Sequence, residues 1–317
     1  MRAIEITEFG GPEVLQPTEL PDPQPKPGEA LIEVSRAGVN YGDTHQAENS
    51  YIAKATLPFV PGGEVVGRTP DGRRVVALLA SGGYAERAIA HEQLAFEVPE
   101  EVSDGAALAL CAQGLSAWHL LDTCAHLAAG ETVVVHAAAG GVGSLAVQLA
   151  KLRGARRVIG AASSEEKQQL ARELGADVVV DSTPAGMTDR IKEANGGKGV
   201  DIVLEMVGGA VFDASLAALA PFGRLVTYGM ASREAPTPVA PGELMARSRA
   251  VIGFWLAHAM RRPEMLAGPI QELFKLTAEG KLRPIVGGEY ALSDARRAHE
   301  DMRARRTVGK LLLDPSH

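Results

Sequence analysis

The segment that most constrains the fold is residues 136–143, which reads His-Ala-Ala-Ala-Gly-Gly-Val-Gly. A short apolar run at residues 132–135 precedes it, and an apolar run with helical spacing follows it at residues 144–152. Because three of its last four residues are glycines, the turn can bring the start of a helix close to the end of a strand. The segment therefore predicts a strand, a tight turn and a helix, the unit from which parallel α/β sheets are built.

The same turn is a candidate phosphate-binding site. Ala138, Gly140 and Gly143 occupy the three glycine positions of an offset GxGxxG pattern. Unpaired amides at the start of a helix donate to an anion, and the helix dipole favours its charge. Gly140 would let the backbone approach a pyrophosphate, and Gly143 would let the helix pack closely on the strand. The alternative, a glycine turn without a ligand, stays open because the motif alone is only moderately specific.

The next strand indicates which dinucleotide would bind. Folds that bind NAD carry an Asp or Glu about 20 residues beyond the turn, where it contacts the adenosine ribose. Here the strand at residues 157–162 ends in Ser163 and Ser164, with Lys167 one turn later. A hydroxyl and an ammonium accept a 2′-phosphate that a carboxylate would repel, so NADPH is favoured over NADH. The segment Ser163 to Glu166 also predicts a capping box with Glu at N3, and Lys167 as a plain surface lysine is the alternative.

Composition limits the remaining possibilities. The length of 317 residues predicts two domains or one large one, and the net charge of −7 disfavours nucleic acid or an anionic membrane as the main partner. The longest apolar stretch, residues 133–150, is interrupted by glycines and predicts strand, turn and helix instead of a membrane span. Two cysteines without a CxxC pattern favour a reduced, cytoplasmic protein. The basic run at residues 296–306 is interpreted as a solvated helix face.

The chain changes character near residue 103. Before it, prolines, glycines and strand candidates at 29–34, 73–78 and 84–89 predict a small, irregular β domain. After it come helices at 103–112 and 115–127, then alternating strands and helices to residue 229 and a sixth strand at 250–254. This alternation predicts a doubly wound parallel sheet of the Rossmann type. The tail beyond residue 261 is too short to fold alone and is expected to join the first domain.

Ordered motifs along the whole chain point to one family. They lie at residues 10–15, 37–43, 57–64, 113–117, 136–143, 207–209, 223–226 and 253–256. Their order and spacing resemble the zinc-free quinone oxidoreductase branch of the medium-chain dehydrogenase/reductase superfamily. The resemblance implies a GroES-like, β-rich catalytic domain at 1–115 and 258–317, and a Rossmann NADP-binding domain at 116–257.

Zinc ligands of the related dehydrogenases are missing from the corresponding motifs. Those relatives place a Cys before the Asp-containing turn and a His between the Gly and Glu of the later motif. Here the first motif reads Gly38-Val39-Asn40, the His position is Gly63, and no cysteine precedes Cys111. A catalytic zinc needs three protein ligands, so no metal is expected. Without this Lewis acid, hydride transfer from NADPH to a quinone or activated enone is favoured over alcohol dehydrogenation.

The resemblance also implies three residues near the reacting groups. Asn40 matches the active-site asparagine of the family, whose amide would donate to a quinone oxygen as charge develops there. The alternative is that Asn40 only bonds the backbone of its own loop. Tyr41 and Tyr51 would be walls of the pocket, or otherwise partly buried loop aromatics. His45, a lone loop histidine, is interpreted as a surface group and not as an acid.

A larger set is implied to bind the cofactor. Residues 139–142 would hold the pyrophosphate, Ser163 and Lys167 the 2′-phosphate, and the others would contact the nicotinamide and its ribose. The set is Ser116, Ala139, Gly140, Gly141, Val142, Ser163, Lys167, Val207, Gly208, Gly229, Met230, Phe254, Trp255 and Leu256.

Other functions share this fold and this glycine turn. An enoyl-thioester reductase acting on acyl carriers uses the same hydride step, and a non-catalytic NADPH-binding sensor or RNA-binding protein would keep the turn. Family members also pair the Rossmann edge strand, here near residues 249–254, across a two-fold axis, so a homodimer is expected.

Overall fold

The computed structural model describes all 317 residues, Met1–His317, in two compact units. Unit 1 consists of Met1–Leu115 and Ala257–His317, and unit 2 consists of Ser116–Leu256. The domains expected from the sequence, a catalytic domain at 1–115 and 258–317 and an NADP-binding domain at 116–257, stay a prediction. No helix has both the length and the apolar character that crossing a bilayer requires.

The strands and helices are numbered in chain order. The strands are β1 (Arg2–Glu5), β2 (Gln16–Glu19), β3 (Glu29–Val39), β4 (Glu64–Arg68), β5 (Arg74–Leu78), β6 (Arg87–His91), β7 (Ala95–Glu97), β8 (Thr132–Val135), β9 (Arg157–Ala162), β10 (Val178–Asp181), β11 (Val200–Glu205), β12 (Leu219–Thr227), β13 (Ala250–Gly253), β14 (Val286–Ala291) and β15 (Lys310–Asp314). The helices are α1 (Tyr41–Ala47), α2 (Asp104–Leu108), α3 (Leu115–His119), α4 (Gly141–Leu152), α5 (Glu165–Glu173), α6 (Met187–Ala194), α7 (Gly209–Ala218), α8 (Pro241–Met245), α9 (Leu256–Met260), α10 (Glu264–Ala278) and α11 (Ala295–Arg303).

Unit 2 is built on one six-stranded sheet. Its strand order is β10-β9-β8-β11-β12-β13, and every neighbouring pair is parallel. This is the 3-2-1-4-5-6 order of a doubly wound sheet, in which helices cover both faces. All four residues of the central strand β8 are buried for that reason. The Rossmann sheet predicted from the alternating pattern is therefore confirmed.

Unit 1 is built on a seven-stranded sheet whose path runs β14-β15-β3-β4-β5-β7, with β6 pairing β3. The two segments of unit 1 meet in it, because β15 pairs β3 with Leu311 opposite Val39. That pairing brings a strand from the end of the chain beside the residues that lead to Asn40. Strands β1 and β2 form a separate antiparallel pair.

Helix α1 is the main element that the sequence did not predict. Residues 40–45 were expected to form a loop, and that expectation is wrong. The backbone of Asn40 is extended, and this residue caps α1. In the capping box, the carboxylate of Asp43 accepts from the backbone N–H of Asn40 at 2.8 Å. Burial of one face of the helix and this cap stabilise a segment of weak helix formers.

Two smaller differences concern bounds. The strand expected at 84–89 is found as β6, and the two helices expected at 103–112 and 115–127 form one helical stretch to Cys124. That stretch contains π-helical turns at Ala109–Gly114 and Leu120–Cys124. Such turns displace side chains along a helix and occur often at functional sites.

Candidate functional site

The glycine turn of unit 2 joins β8 to α4. Ala137 has a φ of +49°, Gly140 caps the helix, and the Ser144 amide donates to Gly140 O at 2.9 Å. A methyl group at Gly143 would lie 2.1 Å from Ala137 O, so only glycine fits there. The amides before Ser144 have no acceptor within the helix. The turn can therefore offer several donors to one anion.

His136 lies at the start of this turn but does not add charge to it. Its side chain is buried, and Nε2 is 2.8 Å from Ser215 Oγ. Burial lowers the pKa of His136 to about 4, so the ring is neutral near pH 7. Its role is to tie the end of β8 to α7.

The proposed 2′-phosphate residues follow β9, where one local expectation fails. The N-cap of α5 is Ser164, whose Oγ accepts from the Lys167 amide at 3.4 Å. The expected capping box with Glu at N3 is therefore wrong, because Ser164 is still extended and the helix starts one residue later. N3 is Lys167. Since Ser164 supplies the cap, the exposed Ser163 hydroxyl does not have that role.

Glu205, which sequence reasoning missed, shapes the turn after β11. Its Oε1 accepts from the amides of Val207 and Gly208 at 2.6 and 2.8 Å. Burial raises the pKa of Glu205, partly offset by these bonds. Gly208 and Gly209 both have positive φ, which lets α7 begin directly after the turn. The available signal was an acidic residue that ends the apolar run at residues 202–204 shortly before Val207 and Gly208.

The candidate cofactor residues of unit 2 share one edge of the sheet. Residues 139–142 follow β8, Ser163 follows β9, Val207 and Gly208 follow β11, Gly229 and Met230 follow β12, and residues 254–256 follow β13. Carboxyl ends of parallel strands meet at the edge where such sheets bind ligands.

Among these candidates, Phe254 is fixed by a backbone hydrogen bond and by packing of its ring. The Phe254 amide donates to Thr227 O at 2.9 Å, and its ring stacks on His119 at 5.8 Å between centroids. Two candidates do not follow a strand directly: Ser116 lies in α3, one turn before His119, and Lys167 lies in α5.

The candidate residues near the reacting groups lie in unit 1, and Asn40 is the best defined of them. Its Nδ2 donates to Glu64 Oε1 at 2.7 Å, and its Oδ1 accepts from Lys310 Nζ at 2.9 Å. Gln113 Nε2, on the π-helical turn, lies 3.5 Å from the same Oδ1. Asn40 therefore has side-chain partners far along the chain as well as its capping role.

Lys310 and Glu64 form an ion pair whose side chains are both fully buried. Glu64 Oε2 also accepts from the Ala112 amide at 2.8 Å. In the sequence, Glu64 is notable only as part of the motif at residues 57–64, and little distinguishes Lys310 from other lysines. The signal was a lysine that opens the apolar run of β15, although the sequence gives no partner for it.

Aromatic side chains surround His45 on α1. The His45 ring lies 5.6 Å from the Tyr41 ring and 6.5 Å from the Tyr51 ring, and its Nδ1 is 2.8 Å from Ser50 Oγ. His45 is only 7% exposed, so its interpretation as a surface group is wrong. The i, i+4 spacing of Tyr41 and His45 on a helix, missed in the sequence, brings the two rings together.

A second group of buried polar side chains, Asp43, Tyr84 and His299, is hydrogen-bonded next to α1. Tyr84 Oη donates to Asp43 Oδ2 at 2.8 Å and lies 3.0 Å from His299 Nε2. Burial raises the pKa of Asp43 to about 6, and burial lowers the pKa of His299 to about 4. No group of three or more His, Cys, Asp or Glu side chains is arranged to hold a metal ion.

Comparison with known proteins identifies the family. The profile of the zinc-binding dehydrogenase family matches residues 141–269, and that of the alcohol dehydrogenase GroES-like domain matches residues 26–100. The quinone oxidoreductase of Pseudomonas aeruginosa is 34% identical over 326 residues, 99% of each chain. The human quinone oxidoreductase is 32% identical over 327 residues, 99% of this chain and 97% of the relative. The chain belongs to the quinone oxidoreductase family.

Solved structures of this family have the same fold. The Escherichia coli quinone oxidoreductase complexed with NADPH gives a TM-score of 0.92 at 33% identity, covering 99% of this chain and 100% of that one. The Thermus thermophilus quinone oxidoreductase, also solved with NADPH, gives 0.89 at 35% identity with the same coverage. The family and the fold class predicted from the sequence are both confirmed.

Proposed function

We propose that this protein is an NADPH-dependent quinone oxidoreductase that transfers hydride to a quinone or an activated enone without a metal ion. The observation that carries this function is the match, over 99% of the chain, to quinone oxidoreductases solved with NADPH. The relatives of P. aeruginosa and human carry the same name over nearly their full length.

The residues of unit 2 fit NADPH. The amides at the start of α4 would bind the pyrophosphate, since they lack acceptors within the helix. Ser163 and Lys167 would bind the 2′-phosphate by a hydroxyl and an ammonium. The turn held by Glu205 and the strand end at residues 254–256 would contact the nicotinamide, which supplies the hydride when bound.

The residues of unit 1 would act on the acceptor. Hydride addition places negative charge on an acceptor oxygen, and the Asn40 amide would donate a hydrogen bond to it. The rings of Tyr41 and Tyr51 would exclude water and orient a flat acceptor. Substitution of Asn40 would therefore lower kcat more than it raises KM.

The same proposal covers the partners. A small quinone or enone is the substrate, and no nucleic acid or membrane takes part. Four arginines of the basic run pair with acids: Arg296 with Glu300 at 2.8 Å, Arg297 with Asp301 at 4.0 Å, Arg303 with Glu48 at 2.9 Å and Arg306 with Asp301. The unpaired cysteines Cys111 and Cys124 suit a reducing, cytoplasmic location. We also propose a homodimer.

The deciding experiment follows the loss of reduced cofactor with a small quinone, with NADPH and NADH side by side and with a metal chelator present. We expect turnover with NADPH, much less with NADH, and no effect of the chelator. Binding of NADPH without turnover would contradict the quinone activity and favour an enoyl-thioester reductase or a sensor.

The variant Ser163→Asp tests the cofactor preference. A carboxylate near the 2′-phosphate would cost about 1.4 kcal/mol or more, so the ratio of kcat/KM for NADPH over NADH should fall at least about tenfold. Ser164→Ala is the matched control, because it removes the cap of α5 and leaves the proposed phosphate ligand in place. An unchanged ratio of kcat/KM in Ser163→Asp would show that Ser163 does not contact the 2′-phosphate.

A further inference from the structure

The buried ion pair of Lys310 and Glu64 occupies a place that the backbone leaves open for it. A methyl group on Gly38 would lie 2.7 Å from both Glu64 Cγ and Lys310 Cε. Glycine at this position therefore lets the two side chains cross over β3. Three strands define the pair, since Gly38, Glu64 and Lys310 belong to β3, β4 and β15.

Burial of both charges is costly unless the pair is well hydrogen-bonded. Lys310 Nζ has three acceptors: Glu64 Oε1, Asn40 Oδ1 at 2.9 Å and Val39 O at 3.3 Å. The Glu64 carboxylate accepts from Lys310, from Asn40 Nδ2 and from the Ala112 amide. The Asn40 amide is thus the neutral group that both buried charges share.

This arrangement decides which way the Asn40 amide faces. Its oxygen meets the ammonium and its nitrogen meets the carboxylate. A flipped amide would place NH₂ against the ammonium and the carbonyl against the carboxylate, two repulsive contacts in a buried setting. One orientation of the amide is therefore strongly preferred.

We propose that Lys310 and Glu64 are positioning residues that hold Asn40 as a hydrogen-bond donor toward the acceptor oxygen. The inference rests on the proposed function, because that function gives Asn40 its task. Asn40 Nδ2 carries two hydrogens, and Glu64 takes one. The second N–H is the group left for a substrate, while the carbonyl oxygen is already occupied by Lys310 and approached by Gln113. Asn40 in this orientation can stabilise a developing oxyanion.

A double-mutant cycle separates this role from general support of the fold. The variants are Asn40→Ala, Lys310→Met and both together, with kcat and KM measured for the quinone at saturating NADPH. We expect Lys310→Met to lower kcat about tenfold or more in the wild-type background. In the Asn40→Ala background the same change should alter kcat less than about twofold, because the group it positions is gone.

Two further variants distinguish a loss of Asn40 positioning from a loss of folding. Lys310→Met leaves a buried carboxylate unpaired, so Glu64→Gln with Lys310→Met provides a neutral pair of similar shape. We expect this double variant to fold and to show the same loss of kcat. Arg36→Met is the matched control: it removes an ion pair between β3 and Asp314 that does not touch Asn40, and kcat should stay near the wild-type value.

Equal losses from Lys310→Met in both backgrounds, or full kcat in the neutral double variant, would overturn the positioning role. If the wild type does not reduce quinones, the proposed function fails separately, and the side-chain amide resonance of Asn40 then tests the orientation without turnover. That resonance, assigned by its loss in Asn40→Ala, should shift in the neutral double variant and not in Arg36→Met. An unshifted resonance would also overturn the proposal.

Discussion

At the scale of residues, two buried titratable groups face each other across one tyrosine hydroxyl. Asp43 holds a proton more tightly than a free carboxyl because of burial, and His299 holds one less tightly for the same reason. Tyr84 Oη links them. Their effects on the pH dependence of stability therefore have opposite signs.

The signs follow from linkage. The folded-state pKa of Asp43 is raised from 3.8 to about 6, so its contribution to the free energy of unfolding falls as pH rises through that window. The folded-state pKa of His299 is lowered from 6.5 to about 4, so its contribution falls as pH drops through that window. In the wild type the two slopes largely cancel between about pH 4 and pH 6.

His299→Gln should expose the Asp43 slope. The glutamine amide can still donate to Tyr84 Oη but does not titrate. We expect the difference in unfolding free energy, wild type minus variant, to grow by about 1 kcal/mol per pH unit from pH 4 to 6.5 and then to stay constant. Denaturant unfolding across this range measures it. Asp43→Asn is the matched variant and should show the opposite sign; parallel curves for wild type and His299→Gln would contradict the assignment.

The candidate residues proposed to lie near the reacting groups were only partly predictable. Asn40, Tyr41 and Tyr51 came from the resemblance, and local spacing could place them near one another. Lys310 could not be found, because its partners lie 246 and 270 residues away and the sequence does not show which lysine is buried. Charged side chains are read as solvated unless a partner is known.

At the scale of elements, the turn before α4 depends on close backbone contact. Gly143 permits that contact, whereas some other glycines of the chain, such as Gly72 and Gly242, have open space around them. The segment was well predicted, because the strand, turn and helix are all local and apolar. In the same unit, β10, α6 and β11 continue the alternation of strands and helices that the sequence predicts to residue 229.

Gly143→Ala tests this element. The added methyl would lie 2.1 Å from Ala137 O, so the turn must shift, at a cost of about 1–3 kcal/mol in unfolding free energy. We expect the dissociation constant for NADPH to rise at least about tenfold, since the amides of the turn move with it. Calorimetric titration and thermal unfolding measure the two effects. Gly242→Ala in α8, with nothing within 4 Å of its new methyl, is the control and should leave both quantities near their wild-type values. An unchanged NADPH affinity in Gly143→Ala would argue against this turn as the phosphate site.

Helix α1 was missed for a physical reason. Its sequence holds Gly42, Asp43, Thr44 and His45, which have low helix propensity, and Asn-Tyr-Gly resembles a turn. The helix owes its stability to its cap and to burial against the rest of unit 1, and neither can be read from propensity.

At the scale of the whole molecule, β13 is one of the two edge strands of the Rossmann sheet, and β10 is the other. Strand β13 pairs β12 on one side and has no strand on the other. The Phe254 amide points to β12, because it donates to Thr227 O. Amides alternate in direction along a strand, so the amides of Val251 and Gly253 point outward. A second copy of the chain could pair there, which is the proposed dimer.

Val251→Pro tests that edge. Proline removes one outward amide, which an edge strand tolerates within its own sheet. We expect the wild type to elute as a dimer and the variant as a folded monomer in light scattering over a concentration series. Ile252→Pro, whose amide points inward, should instead destabilise unit 2. A wild type that stays monomeric at all concentrations would rule out the dimer.

The ion pair beneath Asn40 also bears on how the polypeptide is made. Unit 2 is one continuous stretch, so every residue it needs has been synthesised before β14 and β15. The hydrogen bonds of Glu64 and Asn40 to Lys310 cannot form until this lysine is made, more than two hundred residues later. A nascent chain can thus acquire its dinucleotide fold first, while the asparagine proposed to face the acceptor takes up its orientation only after Lys310 has been made.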